Sequence, residues 1–217
     1  MTRTPSRMIL KDIYKRLYNK FGRQHWWPGE TAFEVMVGAI LTQNTSWKNV
    51  EKAIKNIDAG KLLDPLKLYG LRDKKLAELI RPAGYYNVKT KRLKNFLKFF
   101  ISEYGADAGT MKKTPLAKLR NSLLTVNGIG KETADSILLY ALNKPVFVVD
   151  AYTRRFLSRH DLIKHNATYD QLQDMFMRNL PNKAKLFNEY HALIVRLCKD
   201  ICKSKPGCKE CPLYDIL

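Results

Sequence analysis

The sequence predicts an all-α fold, and three observations support this prediction. Apolar residues recur at helical spacing along almost all of the 217 residues, whereas the alternation typical of strands is nearly absent. Residues that cap helices bracket these patterns, as Ser6 and Gly22 do for the first one. Near the middle of the chain, two helical patterns flank a tight turn that contains Gly128 and Gly130. We therefore expect helices joined by short turns.

Composition favours a polyanionic partner. The chain has 39 Lys and Arg against 20 Asp and Glu, a net charge of +19, and 45% of its residues are hydrophobic. Such a charge attracts nucleic acid first and an anionic membrane second, although basic surfaces are often only solvated. No apolar run approaches the ~20 residues that span a bilayer, and the N-terminus lacks the apolar segment of a signal peptide. We expect an intracellular protein of the cytoplasm or nucleoid.

The predicted helices follow in order. The first carries apolar Met8, Ile9, Ile13, Leu17 and Phe21. Further patterns predict helices over 31–42, 47–57, 65–69 and 73–80, and then a long helix from Asn87. Its charged residues, which form a face for a polyanion or for solvent, are Lys89, Lys91, Arg92, Lys94 and Lys98. Residues 105–114 are expected to form a loop.

The second half of the chain continues this pattern. Residues 115–124 lead into the turn, and Thr133 and Ala134 open the next helix. After Pro145, the apolar run 146–149 is expected to be buried and to place Asp150 at a fixed point. Helices over 151–159, 169–180 and 184–199 complete the chain.

The glycine-containing turn has the features of an anion site. Its glycines permit positive φ and close approach of a bulky partner. Amides at such a turn, and the start of the following helix, suit a phosphodiester. The other interpretation is an ordinary tight turn between two core helices. The residues of this candidate DNA-binding hairpin are Asn127, Gly128, Ile129, Gly130 and Lys131.

Four cysteines cluster at the C-terminal end with the spacing C-x3-C-x5-C-x2-C. They are Cys198, Cys202, Cys208 and Cys211. Cysteines that form disulfides are not expected to cluster in this way, and reducing compartments disfavour disulfides. The spacing predicts a metal centre, which is either a zinc ion or an iron–sulfur cluster.

The hairpin GIG, the Thr-Ala start of the helix after it and the VVD aspartate together resemble the endonuclease III-like helix-hairpin-helix DNA glycosylases, the HhH-GPD superfamily. The resemblance implies an all-α, two-lobed fold. A six-helix domain would span residues 25–143, and a discontinuous helical domain would combine 1–24 with 144–217. DNA would lie across the cleft between the lobes, with Asp150 as the catalytic acid at its base. The other interpretation of Asp150 is a helix N-cap.

Two further segments resemble parts of this family. The segment LTQNT resembles the loop whose Gln fills the hole left by an extruded base, which implies that role for Gln43. The turn that contains Tyr85 resembles the GLYN-x-K turn, whose first bulky residue wedges into the opposite strand. Tyr85 and its neighbour could instead only cap a turn.

The positions of the tryptophans, with WWP before the LTQNT segment and Trp47 two residues after it, resemble those in one branch of the family, the 3-methyladenine DNA glycosylase III type. In that branch two aromatic residues hold the flipped base between them. The resemblance implies Trp26 or Trp27 on one side and Trp47 on the other. An alkylated purine is positively charged, so two π faces would attract it. Tryptophans are, however, also common core residues.

The resemblance favours a [4Fe–4S] cluster over the alternative, zinc. The usual order in the family is C-x6-C-x2-C-x5-C, and Cys202, Cys208 and Cys211 roughly fit its first three positions. The fourth position falls near Leu217, so Cys198 would replace it. The cluster loop, residues 198–211, is expected to be structural, and its interspersed lysines could bind DNA phosphates.

Many family members use a lysine two residues after the last glycine of the hairpin to form a Schiff base and cut the strand. Glu132 occupies that position here, and Lys131 is rotated about 100° around the helix. We therefore expect a monomeric, monofunctional glycosylase that removes a damaged base, such as 3-methyladenine, from double-stranded DNA. Glu132 could instead be only a first-turn acid.

Three alternatives stay open. One is a glycosylase for uracil or thymine in G·U or G·T mismatches. Another is a bifunctional glycosylase and lyase that uses Lys131. The last is a DNA-binding protein without catalysis.

Overall fold

The computed structural model describes residues 6–164 and 166–216, and no strand occurs among them. The all-α prediction is therefore confirmed for this part of the chain. The helices of the first half are α1 (Arg7–Phe21), α2 (Ala32–Leu41), α3 (Trp47–Ala59), α4 (Pro65–Gly70), α5 (Asp73–Ile80), a 3₁₀ turn (Arg81–Ala83) and α6 (Tyr86–Tyr104). Those of the second half are α7 (Ala108–Lys113), α8 (Leu116–Thr125), α9 (Lys131–Ser136), α10 (Ala151–Arg159), α11 (Tyr169–Asn179) and α12 (Ala184–Asp200), followed by a 3₁₀ turn (Cys208–Glu210).

Local signals set most of these bounds. The Ser6 hydroxyl accepts a hydrogen bond from the amide of Ile9 at 3.4 Å, and Gly22 ends the same helix with a φ of 66°. Such caps satisfy backbone groups that have no partner within the helix. None of the described helices combines the length and the apolar character needed to cross a membrane.

Two predicted features differ from the structure. Residues 105–114 were expected to be a loop, but they contain α7, whose N-cap Asp107 accepts from the amides of Gly109 and Thr110. The glycine inside this short helix hid the helical pattern. The helix after the hairpin changes from α to π geometry over Ile137–Ala141. In this segment Ile137 and Leu138 are buried, whereas Ala141 is only half-buried.

The chain divides into two compact units. Residues up to Trp26 and from Pro145 onward form one unit, and Trp27–Lys144 form the other. In the first unit, the extended segment 146–149 is buried and its residue Phe147 stacks on Phe176, with ring centroids 3.8 Å apart. The Tyr190 hydroxyl donates to the carbonyl of Leu10 at 2.8 Å, which ties α12 to α1. Asp150 thus follows a segment that is fixed in a core.

The second unit packs around α2 and α6. Every α2 residue from Val35 to Leu41 is buried, and α6 buries Leu93, Phe96, Leu97 and Phe100. Lys89 was expected on the basic face of α6, but it is 1% exposed. Its Nζ donates to the carbonyls of Leu41 at 2.9 Å and Ala83 at 2.7 Å, so it joins the end of α2 to the 3₁₀ turn. Burial and the charge of Arg92 lower the pKa of Lys89 to about 8.

Candidate functional site

The hairpin between α8 and α9 needs a glycine at only one of its two glycine positions. Gly128 has a φ of +96°, and a Cβ placed there would lie 2.2 Å from Cγ of Arg92. Gly130 has an extended φ of −90°, which any residue adopts, and open space surrounds the position of its absent Cβ. The amide of Ile129 donates to the carbonyl of Val126 at 3.0 Å, and the Ile129 side chain is buried. The buried Ile129 side chain thus helps to hold the hairpin, in addition to the polar contacts described next.

Polar contacts support this hairpin from two sides. Asn95 on α6 donates from Nδ2 to the carbonyl of Asn127 at 3.1 Å. Arg120 on α8 binds Asp135 on α9 in a bidentate ion pair, with Nε–Oδ1 at 2.7 Å and Nη2–Oδ2 at 3.0 Å. The Asp135 side chain is fully buried. This ion pair fixes the two helices that flank the turn.

Gln43 lies just after α2 and binds the hairpin. Its Nε2 donates to the carbonyl of Gly128 at 3.0 Å and to Oγ1 of Thr133 at 2.9 Å. Its Oε1 accepts a hydrogen bond from Nη1 of Arg92. The structure therefore brings Gln43 and the hairpin together.

Tyr85 projects into solvent from a strained turn. It precedes α6 with a left-handed φ of 48°, and 71% of its surface is exposed. This conformation is rare for a bulky residue and costs of order 1–3 kcal/mol. Its neighbour Tyr86 instead packs under Arg81, whose Cζ lies 5.8 Å from the ring centroid. An exposed aromatic in a strained backbone is a feature of functional sites.

The tryptophans are not arranged as a parallel pair. Trp27 and Trp47 pack edge to face, with centroids 5.0 Å apart and an interplanar angle of 86°. The ring centroid of Trp27 also lies 5.1 Å from that of Tyr140. The indoles of Trp27 and Trp47 both lie over Gly38 of α2. Trp26 belongs to the other unit, where Nζ of Lys199 lies 5.9 Å from its ring centroid. A base between Trp27 and Trp47 would require one indole to turn.

Asp150 is both a helix cap and a candidate catalytic carboxylate. Its Oδ1 accepts from the amide of Thr153 at 2.7 Å and from the Thr153 hydroxyl at 2.9 Å, which caps α10. Its Oδ2 lies 3.5 Å from Nε2 of His191, and 14% of its side chain is exposed. Both interpretations of Asp150 are therefore compatible with one geometry.

The electrostatics around Asp150 favour its ionised form. Burial is the largest single influence and raises the pKa of the carboxyl. The charge and hydrogen bond of His191 and the two hydrogen bonds from Thr153 together outweigh burial, so the pKa of Asp150 lies below its ordinary value. His191 is not predicted from the sequence, because a single histidine within a helical pattern carries no distinguishing signal.

Glu132 and Lys131 are the first residues of α9, and both are exposed. Glu132 therefore lies in the first turn, where an acid is favourable. The Ser136 hydroxyl donates to its carbonyl at 2.7 Å.

The cysteine segment is held by α10. Arg155 donates from Nη2 to the carbonyl of Cys198 at 2.8 Å, and Arg159 donates from Nη1 to Sγ of Cys202 at 3.3 Å. Burial and then Cys202 raise the pKa of Cys198 to about 12. Burial also raises the pKa of Cys211, and neighbouring Cys202 and Cys208 add to this effect. In the described ranges, no three His, Cys, Asp or Glu side chains are gathered closely enough to hold an ion.

A family model described as the HhH-GPD superfamily of base excision DNA repair proteins matches residues 37–182. The chain belongs to this superfamily. A candidate DNA repair glycosylase of Methanocaldococcus jannaschii is 54% identical over 211 residues, which cover 96% of this chain and 94% of that protein. The predicted resemblance to endonuclease III-like glycosylases is thereby confirmed.

Two solved structures support the same fold. That of H. pylori 3-methyladenine DNA glycosylase bound to 1,N6-ethenoadenine is 31% identical, with a TM-score of 0.77, and the match covers 89% of this chain and 96% of that one. A non-covalent complex of endonuclease III with DNA gives a TM-score of 0.84 at 19% identity, and the match covers 98% of this chain and 95% of the other. The second match shows the fold alone.

Proposed function

We propose that this base excision repair protein is a monofunctional DNA N-glycosylase that removes alkylated purines from double-stranded DNA and leaves an abasic site. The observation that carries the proposal is Asp150, a largely buried carboxylate that its neighbours keep ionised and fixed. Such a group is suited to stabilise positive charge in a site with little water.

The chemistry follows from this carboxylate. A base inside a duplex is out of reach, so it must first be flipped out of the stack. As the bond between C1′ of the sugar and the base nitrogen breaks, positive charge develops on the sugar. The negative charge of Asp150 stabilises that charge and orients the attacking water. Because Thr153 binds Oδ1, the Oδ2 that lies beside His191 is the oxygen proposed to face the reacting atoms.

The proposed substrate class rests on the aromatic residues and on one relative. Trp27 and Trp47 are in contact, and a turn of one indole would offer two faces to a positively charged purine. The structure of the H. pylori 3-methyladenine DNA glycosylase, at 31% identity, holds 1,N6-ethenoadenine. Recognition of a pyrimidine in a mismatch would need hydrogen-bonding groups in place of these faces.

The proposed lack of lyase activity rests on Glu132. A carboxylate cannot form a Schiff base, and Lys131 precedes it on the first turn of α9. We therefore propose hydrolysis without strand cleavage.

Three features support DNA binding by the Trp27–Lys144 unit. The hairpin would contact the phosphate chain, Gln43 would fill the space of the extruded base, and Tyr85 would wedge into the opposite strand. The 71% exposure of Tyr85 and the net charge of +19 support this role. A monomer suffices for these contacts.

We propose that the four cysteines hold a [4Fe–4S] cluster. Their number and the hydrogen bond from Arg159 to Sγ of Cys202 suit thiolate ligands, although their present arrangement does not gather three donors. When bound, the cluster would supply structural cross-linking of the C-terminal segment. Iron would give a brown protein that absorbs at about 400 nm, whereas zinc would give a colourless one.

A base-release panel tests the proposed activity. Duplexes with 3-methyladenine, G·U, G·T or an oxidised purine are incubated with the wild type, Asp150→Asn and the exposed control Asp174→Asn. We expect release of the alkylated base alone, a loss of about 10²–10³-fold in Asp150→Asn and no loss in the control. Release from G·U or G·T alone would favour the mismatch enzyme, a borohydride-trapped adduct would favour the lyase, and binding without release would favour the non-catalytic protein.

A further inference from the structure

The amide of Gln43 is fully engaged in the free protein. Both of its polar atoms are used: Nε2 donates to the carbonyl of Gly128 and to Oγ1 of Thr133, and Oε1 accepts from Arg92. A glutamine with its donor and its acceptor satisfied in this way has one orientation. In that orientation its end group points at the hairpin and is unavailable to a duplex.

Arg92 connects this glutamine to the hairpin. Its aliphatic stem lies directly against Gly128, where a Cβ would approach its Cγ to 2.2 Å. It lies one helical turn after Lys89, which binds the carbonyl of Leu41 just before the Gln43 turn. The α6 helix therefore holds both the hairpin and the segment that carries Gln43.

We propose that Arg92 is a positioning residue of the DNA site, whose guanidinium holds Gln43 against the hairpin in the free protein and exchanges it for a DNA phosphate when Gln43 enters the duplex. This inference rests on the proposed role of Gln43 in filling the space of the extruded base. Arg92 acts through Gln43 and through the DNA backbone and does not contact the reacting atoms.

The exchange follows from the chemistry of the two acceptors. A phosphate accepts two parallel hydrogen bonds from a guanidinium and carries a full negative charge, whereas the amide oxygen of Gln43 is neutral. Because Arg92 lies against Gly128, a phosphate bound at the hairpin would be within reach of its guanidinium. Gln43 would then lose its charged partner when the hairpin engages DNA. Insertion of Gln43 into the duplex is thereby coupled to binding of the DNA phosphate backbone at the hairpin.

The first arm of the test observes Gln43 without DNA. Side-chain amide signals of ¹⁵N-labelled protein are compared in the wild type, Arg92→Met and Lys91→Met, and Gln43→Ala identifies the Gln43 pair. Lys91 is an exposed residue on the same helix, so its variant is a matched loss of charge. We expect the Gln43 signals to leave their wild-type position, with at least tenfold faster hydrogen exchange, in Arg92→Met only, because the amide then loses the partner of its Oε1. Unchanged Gln43 signals in Arg92→Met would show that Arg92 does not hold the Gln43 side chain, and this would overturn the proposal.

The second arm adds a duplex that contains a tetrahydrofuran abasic analogue. We expect the wild-type Gln43 signals to leave their free position, and we expect the slope of log K against log salt to fall by about one in Arg92→Met relative to Lys91→Met. If the Gln43 signals stay in place, the proposed role of Gln43 fails. If they move but the two variants have equal slopes, only the exchange is overturned.

Arg92→Lys keeps the inference testable if Arg92→Met does not fold. An ammonium keeps the charge but lacks the planar fork of the guanidinium. We expect Arg92→Lys to keep the wild-type salt slope, while the Gln43 signals leave their wild-type position as expected for Arg92→Met. Wild-type Gln43 signals in this variant would show that the guanidinium is not what holds the side chain.

Discussion

The hairpin and the Asp150 turn are both held rigidly, but by different chemistry. Polar contacts hold the hairpin: the Arg120–Asp135 ion pair, the Asn95 hydrogen bond and the Gln43 amide. The Asp150 turn instead follows a segment of buried apolar side chains, whose backbone accepts a hydrogen bond from Gln173 at Phe147 and donates one to Tyr169 at Val149, and the Asp150 carboxylate caps α10. The difference suits what each region is proposed to do. The hairpin must exchange partners with a polyanion, whereas Asp150 must keep one position.

The two regions are sensitive to different kinds of substitution. A polar contact fails when one partner is removed, because the other partner is left buried without it. Apolar packing is distributed over many atoms, so a single conservative change is tolerated better. Variants in the hairpin region should therefore have larger effects than variants beside Asp150.

The largest expected effect is that of Asp135→Ala. The Asp135 carboxylate is fully buried, and its removal breaks the bidentate ion pair with the partly buried guanidinium of Arg120. We expect the free energy of unfolding to fall by about 3–5 kcal/mol, measured by urea denaturation. The matched control is Asp174→Ala, since Asp174 pairs with Arg178 at the surface and its loss should cost under about 1 kcal/mol. Equal losses of unfolding free energy in Asp135→Ala and Asp174→Ala would contradict the conclusion that the buried ion pair supports the hairpin.

The next largest effect concerns pH and Lys89. Its pKa is lowered to about 8 in the folded protein, below the ordinary 10.5, because the ammonium is buried near Arg92. Between these values the unfolded chain binds more protons, so the stability of the wild type should rise with pH across this window. The gain is at most roughly 3 kcal/mol, and Lys89→Met should lack it.

Urea denaturation at pH 7.5 and pH 10 measures this difference. Lys91→Met, at an exposed site on the same helix, should follow the wild type at both pH values. A Lys89→Met protein that gains as much stability as the wild type would show that Lys89 titrates normally.

A smaller effect separates the two glycines of the hairpin. Gly128→Ala faces both a φ of +96° and the Arg92 stem, so we expect a loss of about 1–3 kcal/mol in stability and weaker DNA binding. Gly130→Ala has an ordinary φ and open space, and we expect its stability to change by under about 0.5 kcal/mol. Denaturation and DNA titration of the pair test the assignment. Indistinguishable variants would rule out the close approach of Arg92 to the hairpin.

The sequence predicted the features that short-range patterns determine. The bounds of α5 and α10, the caps Ser6 and Gly22, and the cap geometry of Asp150 follow from neighbours within a few residues. Because these signals lie within a few residues of each other, the sequence of a single protein is enough to predict them. The family motifs added the candidate roles of the remaining site residues.

The features that are not predictable from the sequence depend on partners that are distant along the chain. Lys89 fits a basic helix face, and only the carbonyls of Leu41 and Ala83 explain why it is buried. His191 approaches Asp150 from another helix, and the edge-to-face packing of Trp27 on Trp47 depends on the small residue Gly38 beneath them. Periodicity identifies which face of a helix is buried, but it does not identify the polar partner that the face meets.

The smallest expected effect is that of His191→Gln, on the Asp150 side of the comparison. His191 lowers the pKa of Asp150, so its replacement by a neutral side chain should raise that pKa toward the ordinary value. The ionised carboxylate is the proposed active form, so activity is lost as pH falls through this pKa. The acid limb of the single-turnover rate should therefore move to higher pH, with a change of only a few-fold at neutral pH, because Thr153 still holds Oδ1. His160 lies at the opposite end of α10 from Asp150 and packs against Phe156, so His160→Gln should leave the profile in place. A profile that His191→Gln does not move would mean that Thr153 alone sets the charge of Asp150, and the two regions would then differ even more sharply in how many polar partners they need.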